Sequence, residues 1–231
     1  MAAPLVSSSQ QQERCHYPFD LGLVNSEADF QLMDFSISHC GAECLFWLRH
    51  GLMWYYSFNN EEAINCFKQA LVMSSNDNCI AAHWGISISH GPNYNTKSMT
   101  RDSFPSARAA YAHAQRVHEL LQDASVRDAL SDTEVAVFSA LQGRFNPVDD
   151  DAAESDEIFQ NTEAYCANLK AVYALHPPSA RHPNNACVAA LYAESLMQFA
   201  PWHLWDLETG QPTAQAVAAQ KVRFVMTGVL C

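Results

Sequence analysis

Apolar residues recur at helical spacing over most of the chain that follows residue 40. The first such segment, HCGAECLFWLRHGLMWYYSF, carries two apolar stripes. Their members are Leu45, Leu48, Leu52 and Tyr55 in one stripe and Trp47, Gly51 and Trp54 in the other. Residues three or four apart share one face of a helix, so this pattern predicts a helix that contacts neighbours on two sides.

Turn-forming residues divide the rest of the chain into further helical stretches. Predicted helices cover EEAINCFKQALVM, IAAHWGISISH, PSARAAYAHAQRVHELLQDA, TEVAVFSALQGRF, EIFQNTEAYCANLKAVYAL and ACVAALYAESLMQFA, and an eighth is expected over TAQAVAAQKVRFVM. Ser131 and Glu134 have the spacing of a capping box at the start of the fifth helix. Because no stretch shows the alternation of a strand, the sequence predicts an all-α protein of seven or eight helices.

The first two predicted helices carry small and aromatic residues at a fixed spacing. The spacing is W-x3-G-x2-W-x8-A-x3-F-x2-A, and it is formed by Trp47, Gly51, Trp54, Ala63, Phe67 and Ala70. This spacing resembles the tetratricopeptide repeat (TPR), in which small residues let two antiparallel helices cross closely. Gly85 follows Gly51 by one period of that repeat, which is about 34 residues. The resemblance implies a right-handed solenoid of stacked helix pairs.

The resemblance also implies how the chain divides. Ala107, Tyr111 and Ala114 repeat the A-x3-aromatic-x2-A spacing later than one period after Ala63, so an insertion separates the two helices of the second repeat. We expect a flexible N-terminal tail over residues 1–28 and a TPR-like domain over residues 29–231. Within that domain, the expected repeats are 44–77, 78–122 with an inserted loop at 91–103, and degenerate copies at 131–178 and 184–231.

Three segments make the resemblance more specific to one group of TPR proteins. FNNEEA, WGISISHGPNYN and YAESLMQFAPWHLW occur in the order found in a poorly characterised group of large TPR proteins. That group implies an interaction scaffold without a settled activity. Asn60 departs from its pattern, which has His after Phe-Asn. Chains of this group continue beyond the point where this sequence stops, so we expect a truncated member whose uncapped C-terminal face allows self-association.

Composition restricts the classes of partner. The chain carries 13 Lys+Arg against 25 Asp+Glu, a net charge of −12, whereas binding to nucleic acids or anionic membranes requires clustered cations. We therefore expect neither a nucleic acid nor a membrane as partner. The eight cysteines are scattered without a CxxC pair, and the N-terminus has no signal-peptide pattern. These features predict a cytoplasmic protein with reduced thiols.

The TPR resemblance implies a concave groove lined by the first helix of each pair. The residues expected to line it are Leu45, Leu48, Leu52, Tyr56, Ile86, Ser89 and His90. Because most of them are apolar, the groove would take an amphipathic helix of a protein or peptide partner. The predicted function is accordingly a protein-interaction scaffold. The alternative is that the N-terminal segment of the chain (positions 1–30) covers the groove.

The GPNYN segment, residues 91–95, supports a second hypothesis from a different class. Polar amides in an inserted loop would form a ligand pocket with nearby rings, as in a metal-dependent or small-molecule-binding enzyme. The residues of this possible pocket are His83, His90, Asn93, Asn95 and Trp202. Asparagine side chains also satisfy loop backbone groups without any ligand. The chain has no GxSxG motif and no glycine-rich phosphate loop, so no catalytic residue is predicted.

Spacing does not predict a metal site. The chain has neither an HExxH motif nor paired CxxC motifs. Cys40 and Cys44 are four residues apart and could share a helix face, but His50 lies too far around the helix to complete a set with them. We therefore expect small buried thiols and no metal or other cofactor.

Overall fold

The computed structural model describes residues 40–74, 78–95, 104–147, 161–177, 186–198, 202–214 and 216–218. Within these ranges the chain forms α-helices, and an isolated bridge between Trp205 and Pro212 is the one pairing of extended backbone that joins two described residues. The predicted all-α class is therefore confirmed for this part of the chain. None of the helices described is long and apolar enough to cross a membrane.

Eight helices follow one another along the described ranges. They are α1 (Ala42–Tyr56), α2 (Asn60–Met73), α3 (Ile80–His90), α4 (Phe104–Gln122), the single turn α5 (Ala124–Arg127), α6 (Asp132–Ser139), α7 (Thr162–Leu175) and α8 (Ala186–Met197). The first four coincide with the predicted helices to within two residues at most boundaries. The expected tail over 1–28 and most of the expected eighth helix lie outside the described residues.

Polar side chains at the helix starts explain where several helices begin. The Asn59 side chain accepts a hydrogen bond from the Glu62 N–H at the start of α2. Ser131 and Glu134 form the predicted capping box at the start of α6, with the side chain of each residue accepting from the backbone N–H of the other. Each such cap satisfies amide groups that the first helical turn leaves without a partner.

Neighbours in sequence are neighbours in space through the first four helices. Three residues join α1 to α2, so α2 turns back along α1, and α3 then packs against α2 while α4 packs against α3. Helix α7 packs against α8 in the same way. Helix α6 contacts α3, α4 and α7, and so connects the two groups.

The side chain of Phe67 fills the space between α1, α2 and α3. A Cβ atom placed on Gly51 would lie 2.5 Å from the Phe67 ring, and one placed on Gly85 would lie equally close to it. Phe67 itself is 1% exposed. Two glycines that are one TPR period apart in the sequence therefore border a single buried ring, and we call this arrangement the Gly51–Phe67–Gly85 stack.

Helix α3 is the centre of the core. All ten of its residues from Ile80 to Ser89 are buried. Its two buried serines are satisfied by backbone carbonyls, because Ser87 Oγ donates to the Ala110 oxygen at 2.8 Å and Ser89 Oγ donates to the Gly85 oxygen at 2.7 Å. A helix surrounded on all sides accounts for the continuous apolar character of IAAHWGISISH.

The fifth predicted helix is shorter than the sequence indicates. The pattern predicts a helix throughout TEVAVFSALQGRF, whereas α6 ends at Ser139 and turns follow as far as Arg144. Gly143, within these turns, has φ +75°, in the left-handed region that favours glycine, and the chain changes direction there. The turn carries Arg144 into the interior of the fold, where it is 1% exposed.

Candidate functional site

The residues predicted to line a concave groove lie mostly in the core. Leu48, Leu52, Ile86 and Ser89 are each no more than 4% exposed, while Leu45, Tyr56 and His90 are partly buried. Helix α1 is covered by α2 and by the central helix α3, which explains this burial. Within the described residues these side chains therefore pack against neighbouring helices and do not form an open surface.

The GPNYN loop, residues 91–95, is partly buried and meets a residue from the end of the chain. The Asn93 side chain is 8% exposed, and its Oδ1 accepts from the Asn95 N–H at 2.8 Å. This is the local backbone bond that the alternative interpretation of the asparagines predicts. The Tyr94 ring lies against Trp202, with 5.6 Å between ring centroids. The structure thus brings Trp202 to the GPNYN loop, as the pocket hypothesis requires of that residue.

The two histidines of the predicted pocket have other surroundings. His83 is 3% exposed and its Nδ1 lies 2.8 Å from Nδ1 of His113 on α4. His90 is partly buried, and its pKa is lowered by burial and by the nearby positive charge of Lys68. His83 thus belongs to the α3–α4 interface, two helical turns from His90.

Arg144 is a buried cation that sequence analysis did not single out. Its Nη2 donates to the carbonyl oxygen of Pro92 in the GPNYN loop at 3.1 Å. Its guanidinium lies 3.8 Å from the centre of the Tyr165 ring, a cation–π geometry. Arg144 therefore connects the turn after α6 to the GPNYN loop and to α7.

Glu194 on α8 is the acid of the same region. Tyr55 of α1 donates its hydroxyl to both carboxylate oxygens, at 2.8 and 2.9 Å. Gln198 donates from Nε2 to Oε1 of Glu194 at 3.2 Å. A hydrogen bond between residues far apart in the sequence thus fastens the first described helix to the last. Tyr55, Arg144, Tyr165, Glu194 and Gln198 are named the interior polar network below.

Burial and charge act in opposite directions on this network. Burial raises the pKa of Glu194, and the positive charge of Arg144 and the hydrogen bond from Tyr55 oppose that rise. Burial and the neighbouring Glu194 charge raise the pKa of Tyr55 well above its usual range. Burial raises the pKa of Tyr165 to about 12 although Arg144 acts in the opposite sense. The tyrosines are therefore neutral donors at pH 7, held beside one cation and one acid.

Polar atoms at the edge of the network are buried without a hydrogen-bond partner among the described residues. They are Nη1 of Arg144, Oε1 of Gln198 and the hydroxyl of Tyr56. Buried polar groups are nearly always paired in folded proteins, so atoms of this kind call for an explanation. Together they offer hydrogen-bond donors and an acceptor to a small polar molecule.

Single charged residues in otherwise uncharged stretches of the sequence are the signal that points to this network. Glu194 is the one charged residue in ACVAALYAESLMQFA, and Arg144 is the one charged residue in FSALQGRFNP. A single charge in an apolar stretch has to be either exposed or paired. Sequence spacing gives no means of pairing these two, because they lie in separate helical segments far apart along the chain.

A separate cleft of about 270 Å³ lies between α4 and α6. Its walls combine apolar residues such as Val117 and Phe138 with polar ones such as His118 and Gln142. None of the residues of the predicted ligand pocket borders it. Its volume is slightly below the range of about 300–1,000 Å³ that is typical of ligand pockets.

The chain matches no known protein family, and no curated protein and no solved structure is similar to it. A function for this chain is therefore inferred from its helix packing, its surface and the interior polar network.

Proposed function

We propose that the protein is a TPR-like, right-handed helical solenoid that serves as a protein-interaction scaffold. The observation that supports this proposal is the Gly51–Phe67–Gly85 stack. In a TPR array, equivalent first helices recur with a period of about 34 residues and lie against the second helix between them. Gly51 and Gly85 have that spacing, and both border Phe67 on the intervening helix. Solenoids of this kind expose long surfaces to protein partners, so the scaffold function is inferred from the architecture.

The surface best suited to a partner lies near the end of the described chain. Trp202, Trp205 and Leu207 are 70%, 50% and 95% exposed. Trp205 and Leu207 lie in a turn that is closed by the bridge between Trp205 and Pro212, and Trp202 lies three residues before that turn. Exposed tryptophans are the residues that most often dominate the binding energy of protein interfaces. Trp202, Trp205 and Leu207 form what we call the aromatic patch.

The charge around the aromatic patch selects the kind of partner. Asp206 and Glu208 are exposed next to Trp205 and Leu207. Hydrogen bonds from the backbone N–H groups of Thr209 and Glu208 lower the pKa of Asp206, so this carboxylate stays ionised. The whole chain carries a net charge of −12. The partner we propose is therefore a basic amphipathic helix of another protein, with apolar side chains for the patch and Lys or Arg for its acidic rim.

Site-specific photo-crosslinking in the native cells tests this function. A photoreactive amino acid at Leu207 is expected to capture one protein that the same group at Leu175, exposed elsewhere on the molecule, does not capture. The captured protein is then purified and its affinity measured against the full chain. The double variant Trp202→Ala/Trp205→Ala is expected to weaken that affinity at least about tenfold, since interface tryptophans often contribute more than about 2 kcal/mol.

Two results would overturn the scaffold proposal. One is the absence of any protein captured specifically from Leu207. The other is a purified partner whose affinity is the same for the wild type and for the Trp202→Ala/Trp205→Ala variant. The variant Leu175→Ala serves as the matched control, because it removes an exposed apolar side chain outside the aromatic patch.

A second candidate function is the binding of a small polar molecule beneath the GPNYN loop. The specific observation that favours it is a set of buried polar atoms at the edge of the interior polar network. Among the described residues, these atoms have no hydrogen-bond partner, and Arg144 Nη1 is one of them. A guanidinium beside a carboxylate suits a ligand that carries both an acidic and an amide or amino group. Amino acids have this chemistry.

Thermal unfolding in the presence of the twenty amino acids tests the second candidate. At a free concentration 100 times the Kd, a bound ligand stabilises the folded state by about 2.7 kcal/mol, which is a clear rise in the midpoint. The rise is expected to disappear in Arg144→Lys, since lysine lacks the planar fork of donors. An unchanged midpoint with every amino acid would rule out this class of ligand.

A further inference from the structure

Three cysteines from two helix starts converge in the fold. Cys40 Sγ lies 3.4 Å from Cys79 Sγ, and Cys44 Sγ lies 3.6 Å from the same atom. All three sulfur atoms lie within 4.8 Å of one another. Cys44 and Cys79 are 1% exposed, and Cys40 is partly buried. Among the described residues this is the one group of three metal-ligating side chains that lie so close together.

The spacing of the sulfur atoms suits ligands around a metal ion. Thiolates bound to zinc at about 2.3 Å in tetrahedral geometry lie about 3.8 Å apart, near the 3.4 and 3.6 Å that separate Cys79 Sγ from the other two sulfurs. A disulfide joins two sulfurs at about 2.05 Å, so it would leave the third cysteine outside the bond. The geometry therefore suits three sulfur ligands around one ion better than a single disulfide bond.

The helices place these sulfurs in a field that favours anionic ligands. Cys44 lies in the first turn of α1 and Cys79 is the N-cap residue of α3. No side chain caps either helix start by a hydrogen bond. The positive ends of two helix dipoles therefore converge near the three thiols and stabilise thiolate ligands.

A buried acid adds an independent indication of a cation. Glu134 is 1% exposed, and its Oε1 has no hydrogen-bond partner among the described residues. Glu134 lies close enough to Cys40 for its charge to act on that thiol. A cation bound by the three cysteines would compensate the charge of this buried carboxylate.

We propose that Cys40, Cys44 and Cys79 bind one thiophilic d10 cation, Zn²⁺ or Cu⁺, which fastens the start of α1 to the start of α3. Both ions prefer thiolate sulfur. Three cysteines can bind either ion, and for zinc a water molecule or another donor completes the four-coordinate shell. Each thiol releases a proton as it binds, so the affinity rises with pH. Sequence spacing could not suggest this site, since Cys79 comes from a different helix start, far along the chain from Cys44.

Competition titrations of the full, reduced, metal-free chain test the proposal. One arm titrates Zn²⁺ against a chromogenic zinc chelator, and the other titrates Cu⁺ against bicinchoninate without oxygen. We expect one equivalent to bind in one of these arms, with a higher melting temperature for the loaded protein. The arm in which binding is tighter identifies the cation. Replacement by Co²⁺ is expected to add a thiolate-to-cobalt charge-transfer band, which reports sulfur ligands directly.

Matched cysteine variants separate this site from nonspecific thiol binding. Cys40→Ser changes a partly buried ligand and is expected to weaken binding at least about tenfold, since even second-shell changes cost that much. Cys66→Ser changes a buried cysteine outside the cluster and is expected to leave the affinity unchanged. Circular dichroism establishes that each variant is folded. Equal affinities for the wild type and Cys40→Ser, or loss of two thiols to a Cys40–Cys79 disulfide without bound metal, would overturn the proposal.

Discussion

Two regions of the molecule are fastened by different interactions. The first four helices are joined by apolar packing, with Phe67 held between Gly51 and Gly85. The later helices share the same apolar core and are also tied to the first four by polar groups, with Glu194 bound to Tyr55. The apolar region follows a spacing that is visible in the sequence. The polar region joins residues that only the folded chain brings together, so a repeat pattern describes the first region better than the second.

The largest expected effect is the loss of the ring at the centre of the apolar region. Phe67→Ala is expected to destabilise the fold by about 3–5 kcal/mol, because it removes a buried aromatic side chain and leaves a cavity on three helices. Denaturant unfolding measures the change. The control is Phe46→Ala, which removes a ring that is 51% exposed. A similar loss of stability in both variants would show that the apolar region does not depend on Phe67.

The polar region is expected to respond less strongly to the loss of one hydroxyl. Tyr55→Phe keeps the ring but removes the donor to Glu194, and a hydrogen bond to a charged group contributes about 1.5–3 kcal/mol. In the double variant with Glu194→Gln, the two effects should not add, because the residues are direct partners. Additive effects would mean that the bond between α1 and α8 contributes nothing to stability.

A smaller effect concerns the pH dependence of stability. Because the folded protein raises the pKa of Glu194 above its unfolded value of about 4.3, the folded state binds more protons in the window between the two values. The contribution of Glu194 to stability therefore falls as the pH rises through that window, and it is constant below and above it. Glu194→Gln is expected to remove this fall, whereas Glu163→Gln, at an exposed site on α7, is expected to keep it. Identical pH profiles for the wild type and Glu194→Gln would contradict this account.

Local features of the fold were predictable from the sequence. The capping box at Ser131 involves residues three positions apart, and Gly51 and Gly85 stand out as small residues 34 positions apart in the sequence. The inward turn of Arg144 and the meeting of Cys79 with Cys44 depend on tertiary packing. Periodicity cannot supply such information, because it identifies an apolar face without saying what covers it.

The same limit explains why residues that were predicted to line an open groove are buried in the fold. The TPR resemblance places Leu48 and Ile86 on a surface, because a TPR array exposes the first helix of each pair. In the fold they are 1% and 0% exposed. Apolar residues on a helix with two stripes are compatible with either environment, and the contacts of α1 with both α2 and α3 decide between them.

One double-mutant cycle tests most directly whether the Phe67 ring requires the space that Gly85 leaves in the apolar region. Gly85→Ala is expected to cost about 1–3 kcal/mol, because the added Cβ would lie 2.5 Å from the Phe67 ring. Combined with Phe67→Leu, which frees space next to Gly85, the same change is expected to cost at least about 1 kcal/mol less. Gly41→Ala, where an added Cβ meets nothing within 4 Å, provides the control. A cost of Gly85→Ala that is equal with Phe67 and with Leu at position 67 would contradict the account.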